Sequence, residues 1–137
     1  MTGFPLKILT PDGVAFDGMV SALSCRTIDG QIELLANHID YCTALGMGEA
    51  HITNEDGTQH SAACMGGMVS MIGGECRLLA TTFEWAEDID KERAERSRAR
   101  AQAVLDENKA DARQIELAQA RLKRALVRSS VANRKGI

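Results

Sequence analysis

The stretch AEDIDKERAERSRARAQAVLDE, residues 86–107, decides how this chain is to be read. It contains neither Gly nor Pro, and Ala, Glu, Arg, Gln and Leu dominate it, all good helix formers. Ala94, Ser97, Ala101, Val104 and Leu105 recur at three and four residues, which predicts one narrow apolar stripe on a helix. Downstream, Ile115, Ala118, Leu122, Ala125 and Leu126 repeat the pattern. Between the stripes, Asp106-Glu107-Asn108-Lys109-Ala110-Asp111 is a polar break, and Asp111 is placed to cap a second helix. The spacing predicts two helices of about five turns in an antiparallel hairpin. Its seam of Ala and Ser lets helices approach closely but buries little area, and at ~25 cal/mol per Å2 such a seam is weak.

Upstream the character is different. Leu6 and Ile8 lead into Thr10-Pro11-Asp12-Gly13, a strand ended by a turn whose Pro presets the backbone. Val20 to Thr27 reads as a strand closed by Asp29-Gly30. Asp56-Gly57, between Ala50–Thr53 and Thr58–Cys64, is a hairpin signal. Gly66-Gly67 and Gly73-Gly74 bracket a further short strand, Met68–Ile72, and Glu75–Thr81 follows. The expected class is therefore α+β: an N-terminal antiparallel β-sandwich over residues 1–85, then a C-terminal antiparallel two-helix hairpin over 86–137.

Charge divides at the same place. Residues 1–85 hold three bases (Lys7, Arg26, Arg77) against ten acids, and residues 86–137 hold thirteen bases against nine acids. From Arg121 to Lys135 there are six bases and no acid. The two parts are built to meet different surroundings. No run of 18 apolar residues predicts a membrane span, and Met1–Leu9 lacks the pattern of a secretory leader.

With the chain laid out in this way, it resembles the epsilon subunit of bacterial F-type ATP synthases over roughly residues 4–130. Leu6-Lys7-Ile8-Leu9-Thr10-Pro11 opens it as the family's first strand does. Thr27 and Gly30 lead to Leu34-Leu35-Ala36-Asn37-His38, then to Thr43-Ala44-Leu45 and Gly48. Gly66-Gly67-Met68-Val69 precedes Leu78-Leu79-Ala80, and Ile89-Asp90-Lys91-Glu92-Arg93-Ala94 matches the segment that opens the family's hairpin. The chain departs from the family at Glu33 (usually Gly), at Ala36 (usually Pro) and at Ile39-Asp40 (usually Ala-Pro). The run from Leu34 to Cys42 also resembles the divergent epsilon subunits of sodium-translocating ATPases. Proton or sodium specificity itself belongs to another subunit.

The resemblance implies a non-catalytic rotor-stalk subunit, peripheral on the cytoplasmic face of the bacterial inner membrane. Its sandwich would bind the gamma subunit and the membrane ring, with Glu33, Asn37, His38, Ile39 and Cys42 in the ring-facing part. Its last helix would reach the alpha and beta catalytic subunits through Arg121, Lys123, Arg124 and Arg128, and so inhibit ATP hydrolysis. No cofactor is required, but some members bind regulatory ATP on the hairpin. The matching positions here are Asp90, Arg93, Arg100, Arg124 and Arg128, with Glu84 as a base contact. Guanidinium forks suit polyphosphate. Arginines at this spacing also arise as a solvated face with ion pairs such as Glu92–Arg96.

Other chemistries fit the residues less well. A nucleic-acid-binding module using the Arg-rich helix is opposed by a net charge of −3 and by one Trp and one Tyr for stacking. His38, Asp40 and Cys42 alternate as though on one strand face, which suggests a hydrolase, but no nucleophile elbow or oxyanion loop accompanies them. The glycine pairs lack phosphate-loop spacing, and no Lys follows them. The four cysteines, with His38, His51 and His60, do not follow zinc-ligand spacing; they read as small buried hydrophobes.

Overall fold

The computed structural model describes residues 3–107 and 111–133. They fall into two compact units, Met1–Trp85 and Ala86–Ile137.

The first unit is a seven-stranded sheet network: β1 (Phe4–Thr10), β2 (Gly13–Thr27), β3 (Gly30–Leu35), β4 (Tyr41–Ala44), β5 (Met47–Asn54), β6 (Gln59–Ile72) and β7 (Glu75–Trp85). Strand order runs β1-β7-β6-β5-β2-β3, and β1 also pairs β2, so the hydrogen-bonded path returns to its start. Closure leaves few unpaired edges. The long strands make this possible by serving two neighbours in turn. β2 pairs β1 as far as Val20 and β3 from Ala22 onward, while β5 lies along its other edge. β6 pairs β5 up to Met65 and β4 from Met68.

Two features differ from the sequence-based expectation. The pairing of β1 with β7 is parallel, although every other pair is antiparallel. The expected break at Gly66-Gly67 is also not a break, because β6 runs through it. Both glycines have positive φ, +72° and +113°, and a Cβ on Gly67 would stand 1.8 Å from the Leu79 carbonyl oxygen. The pair lets β6 exchange partners while β7 stays in register beyond it. Glycine is the residue that permits both the conformation and the approach.

Alternation fills the interior. Leu6, Ile8, Leu23, Leu34, Ile52, Val69, Met71 and Leu78 are fully buried, each stabilising the fold by about 1.5–3 kcal/mol relative to exposure. Cys25, Cys64 and Cys76 join them, but Cys42 is exposed, contrary to the reading of all four as core residues. Burial pushes the Cys64 and Cys76 thiols up to about 12 and that of Cys25 to about 11, so all three stay protonated near neutral pH.

The second unit is a short 3-10 turn, Ala86–Asp88, followed by α1 (Lys91–Asp106) and α2 (Ala112–Ala132). Asp90 caps α1 by accepting from the Arg93 amide at 3.0 Å. Asp111 caps α2 by accepting from the Gln114 amide at 2.8 Å, and Gln114 returns the bond to the Asp111 amide, a capping box. The helices pack on Ala94, Ala101, Ala118 and Ala125, all buried. Ile115 and Leu126, expected in this seam, are exposed instead, because a seam of bare methyl groups is too narrow to cover them. α2 packs against both α1 and the Ala86–Asp88 turn that precedes it, as an antiparallel return does. Asn108, Lys109 and Ala110 of the expected break lie outside the described residues, as do Arg134 and Lys135 of the basic stretch.

Candidate functional site

Within the helical unit the two helices diverge enough to leave a groove of about 730 Å3. Its floor is apolar, made by Ala101 and Val104 from α1 with Leu117 and Ala118 from α2. Arg93, Arg100 and Arg121 stand along it, with Glu107 and Gln114 toward the end near the break. Helical spacing explains this grouping. Arg93 and Arg100 are seven residues apart, two turns on one face, and the antiparallel return brings Arg121 to the same groove. Among the described residues none of these three arginines makes an ion pair. Among the described residues an ion pair on this unit joins Glu95 and Arg98, and the expected pair of Glu92 and Arg96 does not form. The groove therefore presents three guanidiniums against one carboxylate, that of Glu107, beside apolar side chains, an arrangement suited to an anion with a flat apolar portion.

The residues singled out for nucleotide contact are thus divided. Arg93 and Arg100 line the groove, and Arg121, assigned to docking on the catalytic subunits, joins them. Arg124 and Arg128 are half-buried on α2 and do not line it; Lys123 is exposed. Asp90 uses a carboxylate oxygen on its own helix terminus. Glu84 belongs to β7 in the other unit.

The second candidate lies at one end of the sandwich. The β3–β4 connection, residues 36–40, contains Asn37 at φ +66°, the left-handed position of a non-glycine residue among those described. The His38 amide donates back to the Leu35 carbonyl at 3.2 Å, and the His38 ring meets Tyr41 edge-on at 6.1 Å. Asp40 accepts from the Gly73 amide at 3.0 Å, tying this connection to the turn between β6 and β7. Ile39, between these ties, is 78% exposed.

This geometry corrects the alternating-strand reading of His38, Asp40 and Cys42. Only Cys42 is in a strand, β4; His38 and Asp40 precede it and turn to separate partners. The three do not assemble a nucleophile and base. Sequence reasoning also missed a cross-strand set on β5 and β6, in which the His51 ring lies 3.0 Å from the Ser61 hydroxyl and 3.2 Å from the Glu49 carboxylate. Only the register of the two strands places Ser61 opposite His51, ten residues away. No group of three or more His, Cys, Asp or Glu side chains able to hold a metal ion occurs among the described residues.

Comparison with known proteins covers both units. Residues 3–86 match the family described as ATP synthase, Delta/Epsilon chain, beta-sandwich domain, and residues 87–133 match its long alpha-helix domain. The ATP synthase epsilon chain of Ruminococcus albus is 36% identical over 136 residues, covering 98% of this chain and 100% of that one. That of Caldicellulosiruptor bescii is 36% identical over 132 residues, 96% and 95% of the two chains. Among solved structures, a chain of the Euglena gracilis mitochondrial ATP synthase (OSCP/F1/c-ring) superposes with a TM-score of 0.80 at 20% identity, covering 90% of this chain and 77% of that one. A chain from the central stalk and c-ring of the Tetrahymena thermophila enzyme gives 0.59 at 14% identity, over 93% and 95%. At those identities the two structures share the fold.

Proposed function

Since the chain belongs to the ATP synthase delta/epsilon family along both of its units, and is on that footing a non-catalytic stalk subunit, we propose that it couples rotation between membrane ring and catalytic head and restrains ATP hydrolysis through its helical arm. The single observation that carries this reading is the contrast between the units. One is a closed, acidic β network with a continuous aliphatic core; the other is a basic helical pair joined by alanines. An alanine seam stabilises an arm only weakly at ~25 cal/mol per Å2, which leaves it free to open. The sandwich would hold the gamma subunit and present Glu33, Asn37, His38, Ile39 and Cys42 toward the ring. The opened arm would place Arg121, Lys123, Arg124 and Arg128 against acidic surfaces of the alpha and beta subunits. No described helix is long and apolar enough to cross a membrane. Deleting residues 87–137 in the assembled complex tests the reading. Assembly should persist and hydrolysis should rise; unchanged hydrolysis refutes it.

The groove supports a regulatory extension. ATP bound there would favour the closed arm by its differential affinity for that state. Arg93, Arg100 and Arg121 would hold the phosphates. Loss of one charged hydrogen-bonding partner costs ~1.5–3 kcal/mol, roughly a ten- to hundredfold drop in affinity. Arg93→Ala and Arg121→Ala should show that drop by calorimetric titration with ATP, and Arg124→Ala should not. Equal losses in all three would move the nucleotide out of the groove.

A further inference from the structure

We propose that Ile39 is a preformed apolar knob that seats in an apolar socket on a basic protein surface, with Asp40 as the residue that positions it. The inference rests on the reading of this end of the sandwich as ring-facing, and it names the chemistry of that contact. Ile39 is the most exposed large hydrophobic side chain among the described residues, at 78%, and Ile72 and Leu35, on the neighbouring strand ends, are 59% and 50% exposed. These are not scattered side chains. Tyr41 pairs Met71, so the connection before β4 runs alongside the turn after Ile72. The Leu35 carbonyl is bonded by the amide of His38, one residue before Ile39.

The backbone around the knob is held on both sides. On one side the His38 amide bonds the Leu35 carbonyl across Asn37, whose left-handed conformation asparagine adopts more readily than other residues with a Cβ. Asp40 reaches across 33 residues of sequence to the Gly73 amide. A side chain fixed in its docking position loses little freedom on binding, which is where preorganisation adds affinity.

Charge decides the kind of surface it meets. Residues 33–42 and 70–77, which build this end, contain Glu33, Asp40 and Glu75 against one base, Arg77, opposite Ser70. An anionic lipid surface would repel such an end, since membrane docking draws on basic residues. A protein surface with Lys or Arg around an apolar socket complements it.

The test uses catalytic heads assembled with the full-length chain and membranes stripped of heads, with rebinding followed by sedimentation. Losing the buried part of an Ile side chain should weaken rebinding roughly ten- to a hundredfold in Ile39→Ser. The thermal midpoint of that variant chain should match the wild type, since the residue is exposed. Asp40→Asn keeps the acceptor oxygen but removes one of the three acidic charges, so it should rebind more tightly than Asp40→Ala and less tightly than the wild type. Asp40→Ala should approach Ile39→Ser, and the double variant should be no weaker than Ile39→Ser alone. If the head without this chain fails to rebind but Ile39→Ser rebinds fully, the knob is refuted and the stalk reading stands. If the head rebinds equally well without the chain, the stalk reading falls and takes this inference with it. If the wild-type chain binds protein-free phosphatidylcholine–phosphatidylglycerol vesicles as tightly as stripped membranes, the partner is lipid and the proposal is overturned.

Discussion

Replacing Gly67 by Ala tests the central claim about how the sandwich is built. At φ +113° an L residue sits in a sparsely populated conformation, a cost of order 1–3 kcal/mol. The new Cβ would also stand 1.8 Å from the Leu79 carbonyl oxygen and 3.0 Å from the Ala80 Cα, both backbone atoms of β7. Relief requires β6 and β7 to separate, and overpacking of this kind costs about 1–3 kcal/mol more. Gly30 supplies the matched control. Its φ is +120°, and a Cβ there meets nothing within 4 Å, so Gly30→Ala carries the conformational cost alone. The difference between the two variants isolates the steric part. Trp85 is the sole tryptophan and packs edge-on against Phe83, with ring centroids 4.9 Å apart, so its fluorescence reports melting of the sheet unit. At roughly 4–8 °C per kcal/mol for a domain of this size, Gly67→Ala should melt at least ~5 °C below Gly30→Ala. Coincident midpoints would refute the claim that close approach of β6 to β7 requires glycine here.

Three further outcomes follow from local chemistry. The thiols of Cys25, Cys64 and Cys76 have folded values of about 11 and 12, raised by burial above an ordinary thiol near 9. Their contribution is fully present below pH 9 and is lost as pH rises from 9 toward 12, at up to about 1.4 kcal/mol per pH unit for each thiol; urea denaturation at stepped pH should show the loss, and a triple Cys→Ala variant should flatten it. Asp111→Ala removes the capping box of α2 and should cost about 1 kcal/mol, read as reduced helical circular dichroism on heating, whereas Asp111→Asn should retain most of it. The Ser129 hydroxyl is buried without a hydrogen-bond partner among the described residues. Ser129→Ala should therefore leave stability unchanged or raise it slightly in the same melt; destabilisation beyond ~1 kcal/mol would point to a partner for that hydroxyl.

The sequence by itself determined whatever depends on neighbours within about four residues. Asp111 announced the start of the second helix because a carboxylate can satisfy an amide three positions on, and Asp90, not read as a cap in the sequence, does the same for the first. Asp56-Gly57 announced its turn for the same reason: the Thr58 hydroxyl and amide bond the Asp56 carboxylate at 2.6 and 2.9 Å and hold its pKa below the usual value. The change from turn-rich sequence to unbroken helix former marked the passage from strands to helices at Trp85–Ala86. Tertiary structure alone decided the parallel pairing of β1 with β7, the passage of β6 through Gly66-Gly67, the tie from Asp40 to Gly73, and the company Arg121 keeps with Arg93 and Arg100. Each of these joins residues some 12 to 70 positions apart, or turns on a partner that distant. Such a contact carries no local propensity; it forms only when burying Leu6, Ile8, Val69 and Leu78 in one core draws the strands together, or when the alanine seam draws the two helices together.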